Sequence, residues 1–151
     1  MDNKAIIEQF YTAFAAADAE RMVQLYADDI QFEDPAFGKL KGESAKNMWR
    51  MLVNPGLKLV FSNVWTDGDK GGAHWQATYT FSKTGRKVVN EVDALFHFKD
   101  GKIIAHTDTF SFWKWSRQAL GTPGLLLGWT SFLQNKVRKQ ALARLHAFQA
   151  K

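Results

Sequence analysis

Apolar residues return every three or four positions at the start of the chain. Ile6, Ile7, Phe10, Phe14 and Ala17 predict a first amphipathic helix behind an Asp2 or Asn3 cap. Asp18 is placed to cap a second helix that turns Met22, Leu25 and Tyr26 inward, and the acidic pair Asp28-Asp29 breaks that face. Ile30 and Phe32 then alternate with Gln31 and Glu33 as a short strand, which Pro35 stops. A third helix opens at Gly42-Glu43-Ser44, faces Ala45, Met48, Trp49 and Leu52 inward, and ends at Asn54-Pro55-Gly56.

Beyond Gly56 the period falls to two. Residues 57–66 read as a strand, followed by a turn over 67–72 and a strand over 73–82. A turn over 83–86, a strand over 88–98 and a turn over 99–102 lead into a long final strand from Ile103 to about Trp115. Helices first and a long antiparallel sheet after predict an α+β domain. Gly121-Thr122-Pro123-Gly124 has linker character, and Trp129, Leu133, Val137, Ala141, Leu145 and Phe148 mark a terminal helix. We therefore divide the chain into a domain over 1–115 and a helical extension over 116–151, packed on the same domain or on a partner subunit.

Composition narrows the function classes. A chain of 151 residues can bury one core without staples. It has no cysteine, which excludes disulfides, thiolate metal sites and a cysteine nucleophile. Six tryptophans and twelve phenylalanines point to a core or pocket lined by rings. Residues 114–151 carry seven Lys or Arg and no acid, so the rest of the chain sums to a slight negative charge and is not a basic nucleic-acid binder. The N-terminus lacks a signal pattern and no apolar run approaches the ~18 residues of a membrane span. The expectation is a soluble cytoplasmic protein.

Candidate chemistry lies in acids set among aromatic strands. On the final strand His106, Asp108 and Phe110 share one face; on the strand before it, Glu91, Asp93, Leu95 and His97 oppose Val92, Ala94, Phe96 and Phe98. An acid buried among rings is costly unless paired or protonated, so Asp93 and Asp108 say more than turn acids such as Asp67 and Asp100. Taken singly, each has a plain structural reading: His106 and Asp108 as a solvated pair, Asp93 as a lysine partner, Asp34 as a turn residue beside Pro35. Converging on one cavity, they become acid–base candidates. There is no phosphate-cradling glycine loop and no metal-ligand spacing, so no cofactor and no metal are expected.

The hairpin ending Leu25-Tyr26-Ala27-Asp28-Asp29, the segment Phe32-Glu33-Asp34-Pro35, Gly42 before the third helix, and Phe98-Lys99-Asp100-Gly101-Lys102-Ile103 carry a family resemblance. From about residue 4 to 113 the chain resembles the nuclear transport factor 2-like superfamily, in its SnoaL-like polyketide cyclase and ketosteroid isomerase-like branch. The resemblance implies a cone: a curved antiparallel sheet wrapped around the helical hairpin and third helix, with a deep apolar pocket, commonly in homodimers formed through the outer sheet face. Asp34 falls where ketosteroid isomerases keep a proton-shuttling aspartate, and Asp93 where they keep a protonated one. Their oxyanion tyrosine would fall at Phe10, which has no hydroxyl. Limonene epoxide hydrolases would match at Asp108, yet their arginine and second aspartate have no counterpart on the strand over 73–82. SnoaL-type cyclases ask only for a pocket acid–base near the last strand, which Asp108 with His106 meets.

The implied activity is cofactor-independent proton transfer, of isomerase or cyclase type, on a small hydrophobic carbonyl compound. Asp34 or Asp108 would be the base, His106 its partner and Asp93 a neutral acid, with Phe10, Phe14, Trp49, Trp75 and Phe110 as the apolar wall. The alternative is a non-catalytic ligand-binding or assembly module. The basic C-terminal helix is read first as a lid over the pocket or the partner subunit. A membrane-surface contact is the second reading, weakened by Arg144 on its apolar stripe.

Overall fold

The structure, a computed structural model, describes residues 1–151. Its elements run α1 (Asn3–Ala15), α2 (Ala19–Gln24), β1 (Tyr26–Asp34), β2 (Gly38–Lys41), α3 (Glu43–Leu52), β3 (Lys58–Asp67), β4 (Lys70–Phe81), β5 (Arg86–Lys99) and β6 (Lys102–Thr109). Three helices close the chain: α4 (Phe112–Leu120), α5 (Thr122–Leu127) and α6 (Ser131–Gln149). One six-stranded sheet has the order β2-β1-β6-β5-β4-β3. The class is α+β, with the N-terminal helices against one face of the sheet.

Local chemistry explains most of the boundaries. Asp2 caps α1 by accepting from the Ala5 amide at 2.8 Å, and Asp18 caps α2 by accepting from Arg21 at 3.0 Å. The inward face of α1 delivers Ile6, Ile7, Phe10, Tyr11 and Phe14 to the core. Phe10 is its hub, with ring centroids 5.3–5.9 Å from Tyr11, Tyr26, Trp49, Phe96 and His106. Truncating so enclosed a ring to alanine would cost about 3–5 kcal/mol.

Besides the short helix α5 where a linker was expected, the structure departs from the sequence reading in four places, all in the sheet and its edges. Tyr26 does not end α2 but opens β1, where it pairs with Ile103, and the Ile103 amide bonds to the Leu25 carbonyl at 3.0 Å. The acids Asp28 and Asp29 lie within that strand, at a register irregularity between Tyr26 and Gln31. Second, β2 is an added strand: the chain turns at Asp34 and comes back antiparallel to β1. Third, β1 pairs with β6 in parallel, so the sheet is mixed rather than wholly antiparallel.

Fourth, the final strand stops at Thr109 instead of running to about Trp115. Ser111 caps a helix by accepting from the Lys114 amide at 3.2 Å, and Phe112, Trp115, Ser116 and Ala119 form its buried face. This helix protects a sheet edge. β5 extends beyond β6, and Gln118 of α4 binds the exposed Val89 backbone, accepting from its N–H at 2.8 Å and donating to its carbonyl at 3.1 Å. Helix α6 returns over α3 and sinks Leu145 into the main core. At its other end Gln134 and Arg138 donate to the Pro35 carbonyl at 3.1 and 3.2 Å.

Candidate functional site

A cavity of about 740 Å³ lies between α3, α6 and the inner face of the sheet. Phe14, Trp49, Trp75, Tyr79 and Phe110 line it from the first helix, α3, β4 and the end of β6, and Leu133, Val137 and Ala141 of α6 form the opposite wall. Two carboxyls, Asp34 and Asp108, face into it, while Lys83, Lys136 and Arg144 supply its cations. A second cleft, about 850 Å³ near the start of β6, is lined by Arg21, Asp28, Lys46, Lys99 and Lys102. Its mixed, solvated charges make it the poorer candidate for holding an apolar molecule.

Asp108 is 3 % exposed and His106 1 % exposed, so this is a buried pair. His106 Nε2 lies 2.8 Å from Asp108 Oδ1, and His106 Nδ1 lies 2.6 Å from the Tyr26 hydroxyl. The Trp49 indole N–H donates to that hydroxyl at 2.9 Å. With Asp108 as the acceptor, one proton arrangement satisfies all three contacts: His106 donates from Nε2, its Nδ1 accepts from Tyr26, and the Tyr26 oxygen accepts from Trp49. The result is a relay, Trp49 to Tyr26 to His106 to Asp108, in which every link has one donor and one acceptor. Burial raises the Tyr26 pKa well above its ordinary value, against the lowering effect of the Trp49 bond, so the phenol stays a donor.

Trp75 adds a longer bond, its indole N–H donating to Asp108 Oδ1 at 3.4 Å. Both contacts reach Oδ1, which leaves Oδ2 without a protein partner on the cavity side. Rings hold the imidazole in place: Phe96 lies 4.3 Å from it, and Trp49 stacks on it at 6.1 Å and 13°.

Asp34 sits at the end of β1, half-buried, and is held by its own turn. Its Oδ1 accepts from the amides of Ala36 at 2.9 Å and Phe37 at 2.6 Å. Burial nonetheless pushes its pKa from 3.8 to about 7; the Phe37 and Ala36 bonds and the Arg138 charge pull down, and the Asp108 charge pushes further up. Two carboxyls in one cavity thus have different environments, one bonded to its relay through Oδ1 alone and one poised near neutrality.

The other expected site residues are distributed otherwise. Asp93 points away from the cavity: its side chain is 82 % exposed on the outer sheet face, where it meets His74 Nδ1 at 2.9 Å. The reason is the strand's own alternation, since Val92, Ala94, Phe96 and Phe98 take the inward face. The neutral-acid role expected of Asp93 therefore has no support there. Phe10 is buried behind the cavity wall, whereas Phe14, Trp49, Trp75 and Phe110 line it. Three contributors escaped the sequence reading: Tyr26, Arg138 and Tyr11. Tyr26 shares strand parity with Ile30, Phe32 and Asp34, a usable signal had β1 been extended to both ends. Tyr11 Oη is buried with no hydrogen-bond partner, and burial with the Asp108 charge raises its pKa well above normal.

A family model described as SnoaL-like domain matches residues 7–106, which span most of α1, α2, α3 and the sheet as far as His106, and so hold Trp49, Tyr26 and His106 of the relay but not Asp108. The chain belongs to the SnoaL-like domain family. Its fold is that of NTF2-like proteins. One from Burkholderia pseudomallei K96243, of unknown function, superposes with a TM-score of 0.67 at 17% identity over 80% of this chain and 99% of that one. A provisionally assigned SnoaL-like polyketide cyclase from Jannaschia sp. CCS1 gives 0.68 at 16% identity over 79% and 91%. TerC, co-crystallized with polyporic acid, gives 0.58 at 18% over 70% and 88%. At these identities the likeness is one of fold. No curated protein matches the chain in sequence.

Proposed function

We propose that the cavity of this SnoaL-like protein binds a small hydrophobic carbonyl compound and moves a proton on it, as an isomerase or cyclase does. The observation that carries this reading is the buried Trp49–Tyr26–His106–Asp108 relay ending at an apolar cavity that Asp34 also faces. Asp108, through Oδ2, takes a proton from the carbon beside the carbonyl. His106 and Tyr26 hold the carboxylate in orientation and balance its change of charge. Asp34, protonated over part of the neutral range, donates to the oxygen on which negative charge develops and recovers that proton as the carbonyl re-forms, while Asp108 delivers the abstracted proton to the product carbon. The rings of Trp49, Trp75 and Phe110 exclude water, which strengthens each of these contacts. The provisional cyclase assignment of the Jannaschia neighbour and the polyporic acid held by TerC favour the same substrate class. A homodimer through the outer sheet face belongs to the same reading, supported by Val60, Trp65 and Leu95 exposed there.

The test uses aromatic β-diketones as probes, with deuterium exchange at the carbon between the carbonyls followed by NMR. The full chain is expected to accelerate exchange, and Asp108→Asn to lose about 10²–10⁴-fold of that rate while retaining ligand affinity by tryptophan fluorescence. Binding without exchange above the buffer rate would favour the non-catalytic module instead.

A further inference from the structure

Five of the nine large hydrophobic side chains left exposed lie within residues 125–132. Leu125, Leu126 and Leu127 are 49, 62 and 44 % exposed, Trp129 is 76 % and Phe132 is 70 %. A contiguous apolar patch of this kind is uncommon on a soluble monomer's surface and marks a contact. The patch is built, not frayed. Gly124 and Gly128 press α5 so closely on α4 that a Cβ at either would collide with Ser116. The Trp113 indole N–H ties the Leu125 carbonyl at 3.0 Å, and Trp129 caps the Leu126 carbonyl at 3.0 Å while its ring stays outside. Clamped on its glycine side, the short helix leaves all three leucines on its free sides.

The surroundings are cationic. Residues 114–151 hold seven Lys or Arg and no Asp or Glu. Lys136 and Lys139 follow Phe132 at i+4 and i+7 on the same face of α6, and Lys114 and Arg117 are exposed on α4, to which α5 is clamped. Consecutive leucines on one turn project about 100° apart, which suits a fluid phase better than a single fixed groove. Past Phe132 in its first turn, helix α6 adds nothing apolar to the contact: Leu133, Val137 and Ala141 face the cavity and Leu145 the core.

We propose that the α5 tip, Leu125–Leu127 with Trp129 and Phe132, seats the protein on an anionic membrane surface. The side chains enter the headgroup boundary and the flanking cations meet lipid phosphates. No helix of the chain is long and apolar enough to cross a membrane, so the contact is peripheral. Leu120, Pro123, Leu133 and Lys136 border the patch and also line the cavity, so seating places the cavity rim at the lipid boundary, where hydrophobic compounds partition. That last consequence rests on the proposed function; the membrane contact does not.

Co-sedimentation of the full chain with phosphatidylglycerol–phosphatidylcholine vesicles tests it, against vesicles of phosphatidylcholine alone. The expected result is binding at least about tenfold stronger to the anionic vesicles, weakening as salt rises. Leu126→Glu with Phe132→Glu should lower binding by about tenfold or more at an unchanged melting temperature. Lys139→Glu, at a fully solvated position, gives a second reading through a shallower salt dependence. Absence of binding at low salt overturns the proposal, as does undiminished binding by the double variant. So does a chain that self-associates through this patch, is made monomeric by the double variant and ignores vesicles: a second copy would then be the occupant. Vesicle binding in a protein that exchanges no probe proton would sink the proposed function and leave this contact standing.

Discussion

The Tyr26 hydroxyl lies 2.6 Å from Nδ1 of His106, a residue eighty positions away in the chain, and together with the Asp108 contact it sets which imidazole nitrogen carries the proton. Tyr26→Phe removes the donor to His106 and the acceptor of Trp49 together, leaving two buried polar groups unpaired. The expected loss is about 2–6 kcal/mol in denaturant unfolding, from a typical penalty of about 1–3 kcal/mol for each of the two groups. Nitrogen-15 shifts of His106 should show a mixture of tautomers in the variant and one in the native protein. A single unchanged tautomer would mean that Asp108 alone orders the ring.

Asp34 gives a pH dependence of unusual sign. Its folded pKa of about 7 exceeds the 3.8 of an ordinary carboxyl, so the folded chain holds a proton that the unfolded chain releases. Its contribution to stability is therefore full below the lower value and lost as pH rises through the upper one. Asp34→Asn keeps the acceptor for Ala36 and Phe37 but cannot ionise. Its unfolding midpoint should gain on that of the native protein between about pH 4 and about pH 7. A gap that stays constant over that range would place the titration elsewhere.

Asp93 and Asp108 make an opposed pair for mutagenesis. Asp93→Asn changes an exposed contact with His74, and should alter stability by less than about 0.5 kcal/mol and leave exchange of the diketone probe untouched. Asp108→Asn should abolish that exchange. Equal losses in the two variants would contradict the outward placement of Asp93.

Tyr11 has a hydroxyl with no partner in the core. Tyr11→Phe removes that unpaired group without opening a cavity, so the protein should be unchanged or more stable by about 1 kcal/mol. A loss of stability greater than that would show that the hydroxyl has a partner, such as a bound water, in solution.

Much of the framework was legible in local pattern, because caps and periodicity are properties of neighbouring residues. Asp2 and Asp18 cap the helices expected of them, and the three long strands fall where the period becomes two. Asp93's outward direction was legible too, in the apolar parity of Val92, Ala94, Phe96 and Phe98; counting residues by family resemblance obscured it. The helix at Phe112–Leu120 had its Ser111 cap and its i, i+3, i+7 spacing of Phe112, Trp115 and Ala119, but the crowd of aromatics also allowed a strand.

Other features depended on the folded chain. Ile103 and His106 have opposite parity in sequence, yet both are buried, because a register shift opposite His97 and Phe98 turns β6 over between them. Only that irregularity places His106 and Asp108 inside. Likewise Tyr26 looked like the last residue of a helix until parallel pairing with β6 drew it into β1 beside His106. The raised pKa of Asp34 arises from burial under α6 and from Asp108, neither of them near it in sequence. Sequence by itself determined the helices, the long strands and the acids available to them, since these follow from short-range periodicity and capping. Tertiary structure decided which acids share a cavity, which proton each holds and which apolar residues stay in water, because strand register, burial and charge coupling act between residues distant in the chain.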